Sequence, residues 1–128
     1  MTPKWFTLAE ARSALRTIRP LMAEIQEIHK RIVEREPELW AAMQRAAGNG
    51  GSRELSTLSQ DFVRLDRLVH DVLDSGVEIK DLGSGLIDFP ARHEGRPIYL
   101  CWKFDEADIL YWHDTTSGYA GRTPIDWS

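Results

Sequence analysis

The chain has 128 residues, of which 42% are hydrophobic and 28% charged, the length and balance of one soluble domain able to bury a core without disulfide or metal staples. Sixteen basic residues against 20 acidic ones leave a net charge of −4, which argues against a duplex-binding surface, and a single cysteine, Cys101, excludes an internal disulfide and suits a reducing compartment. No run approaches the ~18 apolar residues of a membrane span, and the opening MTPKWFTLAEARS lacks the apolar core of a secretory leader, so the expected setting is the cytoplasm, without membrane or nucleic-acid partners.

The charge is unevenly placed: residues 1–75 carry 11 of each sign, whereas residues 76–128 carry 5 basic and 9 acidic side chains. The best basic stripe, Arg12, Arg16 and Arg19, is flanked by Glu10, Glu24 and Glu27 and reads as a solvated helix face.

Thr7-Leu8-Ala9-Glu10 has the form of a capping box and opens the first helix. Leu8, Ala11, Leu15, Ile18, Met22, Ile25, His29 and Ile32 then recur at alternating spacings of three and four, a heptad seam that Leu21 and Ile28 widen. Pro20 lies inside this run without shifting its register and predicts a kinked but continuous rod; Pro37 ends or bends it again before ELWAAMQRAA. GNGG at 48–51 breaks the pattern, and Ser52 offers an N-cap for a second helix with its own seam, Leu55, Leu58, Phe62, Leu65, Val69 and Val72, stopped at Gly76. Two such seams joined by a glycine-rich turn predict an antiparallel, coiled-coil-like helical hairpin over residues 7–75. Leu21, Ile28, Leu68 and Leu73 form second rows that one partner helix cannot cover. At roughly 25 cal/mol per Å2 of apolar surface, that predicts cover by the C-terminal half and by a second copy together, hence a homodimer through the helices.

From residue 77 the pattern becomes short runs rich in β-branched and aromatic residues: VEIKDLG, GLIDFPAR, RPIYLCWKF and DILYWHD, the strands of a small antiparallel sheet followed by an irregular glycine-rich tail. With Glu94-Gly95 as the turn, Phe89 faces Leu100, Ile87 faces Trp102 and Ala91 faces Ile98, so every large apolar pair shares one face. Asp88 then falls opposite Cys101 on the other face, with Lys103 diagonal to it. The next hairpin has two solutions. A three-residue turn at Asp105–Ala107 sends Leu110 and Trp112 to the core face and sets Tyr111 and His113 beside Cys101 and Tyr99, with the imidazole wet; a two- or four-residue turn puts His113 opposite Leu100. The first is preferred because it buries Trp112. The expected fold class is α+β in a single domain of residues 1–128, with the helical hairpin at 7–75 and the sheet and tail at 77–128.

The residues now named carry a resemblance. Phe6-Thr7 with Glu10-Ala11, then GLIDFP at 85–90, LCW at 100–102, Glu106, WH at 112–113, Gly118 and GR at 121–122 resemble an uncharacterised bacterial family catalogued as domain of unknown function 2203. The likeness spans nearly the whole chain and implies a helical N-terminal half followed by a compact β-rich end. It implies no activity.

The candidate chemistry gathers on the polar sheet face. Asp88, Cys101, Lys103 and His113 are the candidate catalytic residues, since a cysteine beside an imidazole can act as an activated thiol. Asp88, Cys101, His113 and Glu106 also include metal-ligand types, but there is no Cys-x-x-Cys, His-x-His or His-Glu-x-x-His pattern, and no metal or cofactor is assigned. Against these stand plainer roles: Cys101 as a small buried strand residue, Asp88 paired with Lys103 or capping the turn at Ser84-Gly85, and His113 bonded to Asp114 or the loop backbone. Glu106 and Arg122 are candidate ligand-binding residues. Glu106 can cap the amides of Asp108 or Ile109, and Arg122 can hold an anion or pin the tail to a carboxylate such as Asp88 or Asp114, or to helix carbonyls. His29, on the helical seam, reads as a tolerated polar core residue, and the tryptophans and tyrosines of the sheet as packing aromatics. Because no catalytic motif is complete, a homodimeric interaction or scaffold module is the expected function; the alternative is a small-ligand binder or an enzyme using this face for hydrolysis or transfer on an anionic substrate.

Overall fold

The computed structural model describes residues 4–49 and 53–128. Thr7 closes the expected capping box: its hydroxyl accepts the Glu10 amide at 3.1 Å, and its own amide donates to Glu10 Oε1 at 2.9 Å. Helix α1 (Leu8–Glu34) then runs 27 residues without a break. Pro20 is tolerated inside it because its ring lies on the exposed side, where water can reach the carbonyl that loses its partner. The chain turns at Arg35 into α2 (Glu36–Asn49), with Pro37 in the first turn, where a missing N–H costs nothing. Gly48 and Asn49 still belong to α2; the expected reversal at Gly50-Gly51 and the Ser52 cap lie outside the described residues. Helix α3 (Arg53–Asp74) returns beside α1, tied to it by Arg31–Asp61 at 2.8 Å and Arg64–Glu24 at 2.8 Å.

The buried stripe of α1 is Leu8, Ala11, Leu15, Ile18, Met22, Ile25 and Ile28. It follows the expected seam until its last turns, where Ile28 replaces His29. His29 sits half-buried, with Cε1 3.5 Å from where a Cβ on Gly83 would stand. On α3 the buried positions are Leu58, Leu68 and Val72, with Leu65 and Val69 half-buried; Phe62, expected in the seam, is 49% exposed, and Leu73 is also exposed. The side chain of Leu55 lies outside the described set.

The second half is a five-stranded antiparallel meander in sequence order: β1 (Glu78–Asp81), β2 (Leu86–His93), β3 (Arg96–Lys103), β4 (Tyr111–Asp114) and β5 (Thr123–Pro124). With the helices this makes an α+β fold. The β2–β3 hairpin has the expected register throughout, set by Glu94 (φ 53°) and Gly95 (φ 76°), a turn whose twist matches the strands it joins. Ile87, Phe89, Ala91, Ile98, Leu100 and Trp102 all face α1 and are at most 2% exposed. Phe6 reaches the same core: its amide donates to the Pro90 carbonyl at 2.8 Å, and its ring meets Phe89 edge-on at 5.2 Å. The tail is less irregular than expected, since β5 pairs with β4 and the Ile125 amide donates to the Leu110 carbonyl at 2.9 Å.

The β3–β4 connection departs from the expected tight turn. Pairing stops at Cys101↔Tyr111, and residues 104–110 form an open loop. Within it Ile109 is fully buried, while Leu110, expected in the core, is 46% exposed. The basic stripe of α1 explains how the loop is held. Arg12 Nη2 donates to the Ile109 carbonyl at 2.9 Å, and Arg19 donates to the carbonyls of Ala107 at 2.6 Å and Glu106 at 3.2 Å. Two of the three arginines are therefore clamps on the loop backbone, and Arg16 alone is an exposed charge.

Candidate functional site

The side chains that alternate away from the helices form the polar face. Across three strands Asp88 pairs with Cys101, and Cys101 with Tyr111; one row further along, Tyr99 pairs with His113. This is the preferred register of the second hairpin, so Cys101, Asp88 and His113 do come together. Their potential ligand atoms lie within 4.8 Å of one another. The His113 Nε2 atom stands 3.0 Å from Asp88 Oδ2, and its Nδ1 stands 2.7 Å from the Asp114 carbonyl oxygen.

The imidazole is not wet. His113 is 3% exposed, Asp88 2% and Cys101 0%. Cover comes from long side chains whose polar ends are paired at the rim of the cluster. Arg122 lies over the rings of Tyr111 at 3.9 Å and Tyr119 at 4.6 Å, with its Nη1 4.0 Å from Cys101 Sγ. Tyr99 tilts against His113, ring centres 5.4 Å apart, and donates its hydroxyl to Glu78 Oε2 at 2.8 Å. Lys80 spans both, 2.8 Å from Glu78 and 4.6 Å above the Tyr99 ring. Burial raises the carboxyl of Glu78, but the hydrogen bonds from Lys80 and Tyr99 outweigh it and hold the group below its ordinary value. Glu78, Lys80 and Tyr99 are thus part of the site, and the sequence reading passed over the first two; Glu78↔Asp88 pairing in the β1–β2 ladder is the signal that places them there.

Arg122 does pin the tail to a carboxylate, but the partner is Glu106, not Asp88 or Asp114. The two form a forked pair with side chains 10% and 18% exposed. Glu106 also accepts the Lys103 amide at 2.7 Å, so it caps the end of β3 rather than the amides of Asp108 or Ile109. Lys103 itself leaves the cluster: its ammonium is 3.8 Å from Asp105, and Asp88 is engaged by His113 instead. The turn at Ser84-Gly85 is capped by Asp81, whose Oδ2 accepts the Ser84 amide at 3.1 Å.

Chemically, this is a closed polar core. Burial first, then the negative charge of Asp88, push Cys101 up to about 12; Arg122 opposes them too weakly. A thiol so placed stays protonated at neutral pH and meets no solvent, the opposite of an activated nucleophile. Among the described residues no helix is long and apolar enough to cross a membrane.

No curated protein and no solved structure matches the chain. Residues 4–125 match the family model of an uncharacterized conserved protein (DUF2203), and on that extent, nearly its whole length, the chain belongs to this family.

Proposed function

We propose that the protein is a cytoplasmic, self-associating interaction module whose coiled-coil-like helical half, a long hairpin of α1 and α3 with α2 at its tip, docks on a second copy of itself. The observation that carries the reading is the apolar surface left on the helices: Val63 is 69% exposed, Trp40 64%, Val33 51%, and Phe62 and Met43 49% each. Val33, Trp40 and Met43 line one shallow concavity with Pro37, and Val63 lines another with Arg64 and Arg67. A tryptophan and a phenylalanine left this open have the character of interface anchors.

Charge favours a second copy as the occupant. The helical half carries equal numbers of acidic and basic residues, so two copies do not repel. Glu36, in the acidic first turn of α2, complements Arg67 of α3. A two-fold axis would set each against the other twice, as an isologous interface requires. The polar sheet face fits a ligand-binding or hydrolytic role on anionic substrates poorly, since its thiol and imidazole are closed off and its arginine is already paired.

Sedimentation velocity at micromolar concentration tests the reading. The full chain sediments as a dimer, and Trp40→Glu with Val63→Glu returns it to a monomer with unchanged circular dichroism. A wild-type monomer at that concentration overturns the proposal, because an interface of about 1,200–2,000 Å2 built on such anchors would hold there.

A further inference from the structure

Asp88, Cys101 and His113 come from three consecutive strands, and two features of their cluster are not explained by packing. The first is Asp88 Oδ1, which is buried and has no hydrogen-bond partner in a side chain that is 2% exposed. The second is the hydrogen-bond chain through His113. A backbone carbonyl can only accept, so the 2.7 Å contact with Asp114 assigns the ring's hydrogen to Nδ1. In the neutral ring Nε2 is then a bare lone pair, and it faces the Asp88 carboxylate, another acceptor, at 3.0 Å. Two acceptors that close need a positive centre between them, either a second ring proton donated to Asp88 or a metal ion in its place. An imidazole whose Nδ1–H is anchored on a backbone carbonyl while Nε2 is aimed at a carboxylate has the orientation of a metal ligand held by its outer partner.

We propose that a divalent transition metal of the zinc type binds here, through the Asp88 carboxylate, the Cys101 sulfur and His113 Nε2. The donor set selects the class: thiolate with imidazole suits zinc and its neighbours, whereas calcium and magnesium take oxygen ligands. Bonds of about 2.3 Å to sulfur and about 2.0–2.1 Å to nitrogen and oxygen need only a small contraction of a cluster whose donor atoms already lie within 4.8 Å. Charge balances as well. The thiol proton and the proton shared by Nε2 and Asp88 leave to solvent, the metal takes their place, and two anionic ligands neutralise it; no electron is transferred. The Glu106 carboxylate is engaged by Arg122 and the Lys103 amide, so the chain supplies three ligands at this point, and a solvent molecule or small anion completes the shell.

The test uses the full chain, stripped with a chelator and dialysed. Zinc titrated against a chromogenic competitor binds at one equivalent per chain, and cobalt gives an intense near-ultraviolet sulfur-to-metal band with visible bands of tetrahedral coordination. Cys101→Ser abolishes the near-ultraviolet band, and both Cys101→Ser and His113→Gln weaken zinc binding at least about 100-fold, more than loss of an outer partner does. Absence of the thiolate band in the wild-type cobalt spectrum overturns the proposal whether or not the variants fold. Zinc binding that both variants leave unchanged places the metal on other residues and overturns it equally.

Discussion

The forked pair between Arg122 and Glu106 should hold the tail on the sheet, and its contribution can be worked out from the geometry. Arg122→Met keeps an apolar stem over Tyr111 and removes the guanidinium. Glu106 then retains only the Lys103 amide, at 2.7 Å. Removing one partner of a fully buried ion pair costs about 3–5 kcal/mol, but the Glu106 side chain is 18% exposed and keeps one donor, so about 2 kcal/mol is expected. Glu106→Gln keeps an oxygen for the Lys103 amide and one for Arg122, and should cost about 1 kcal/mol through the lost charge assistance. In the double variant the second substitution finds its partner already gone, so the two costs do not add, and a coupling of about 1 kcal/mol is expected. For a chain of this size the loss in Arg122→Met lowers Tm by about 6–10 °C. Urea unfolding followed by tryptophan fluorescence gives all four corners of the cycle. Costs that add to within about 0.5 kcal/mol would refute the reasoning, since the tail would then be held by β4–β5 pairing and ring stacking, with the ion pair incidental.

Two further outcomes follow from the same cluster and its rim. In the presence of a chelator at pH 8, Cys101 of the folded chain should react with iodoacetamide at least about 100-fold more slowly than in urea, because a thiol at about 12 is ionised only to ~10⁻⁴ there and is fully buried besides; equal rates would show the polar face to be open. The Asp114 carboxylate, which accepts the amides of Thr116 at 2.9 Å and Ser117 at 2.7 Å, is pulled down from 3.8 to about 2 by those amides. A lowered acid stabilises the fold above its unfolded value and ceases to as pH falls through the folded one. The stability gap between wild type and Asp114→Asn should therefore narrow between about pH 4 and about pH 2 in urea titrations, and a gap that stays constant across that window contradicts the assignment.

The helical half shows where periodicity carries and where it stops. From Leu8 to Ile25 the three–four spacing picks out the buried side of α1 residue by residue, because over this length the helix is covered by the sheet on one flank and by α3 on the other. Further on, the flanks separate: Ile28 is buried within the core cluster, and His29 is left against the β1–β2 turn. The one-dimensional pattern contains both residues and cannot say which neighbour continues. On α3 the seam is displaced in the same way. Asp61, opposite Arg31, takes a half-buried place on the contact, and Phe62, one residue on, turns outward. An ion pair between helices is a long-range event that a hydrophobic pattern does not encode, and here it accompanies the outward turn of Phe62.

On the sheet the period of two and the Glu94-Gly95 turn were enough to bring Asp88, Cys101 and His113 onto one face, since a one-residue slip would have exposed every large apolar pair. Solvent is where the structure differs from the expectation. A face without helices was expected to be wet, yet it is closed by Arg122, Tyr111, Tyr99 and Lys80, residues whose apolar stems and rings spread over the cluster while their polar ends pair with Glu106 and Glu78. The contacts that close the face over Cys101 are mostly long-range: Arg122 meets residues 21 and 16 positions away, and the loop it meets is itself fixed by Arg12 and Arg19, 97 and 88 residues earlier. The three arginines have one physical reason in common. Each satisfies oxygen atoms of residues 104–110, a stretch that lies over the sheet without ladder partners of its own. With that loop anchored, the polar face becomes a second, small core, and the open apolar side chains concentrate on the helices, with Trp40, Met43, Phe62 and Val63 among them. Two kinds of site should therefore be separable by mutation: changes at the helical tip should alter association and leave the cluster intact, and changes at Cys101 or His113 should do the reverse.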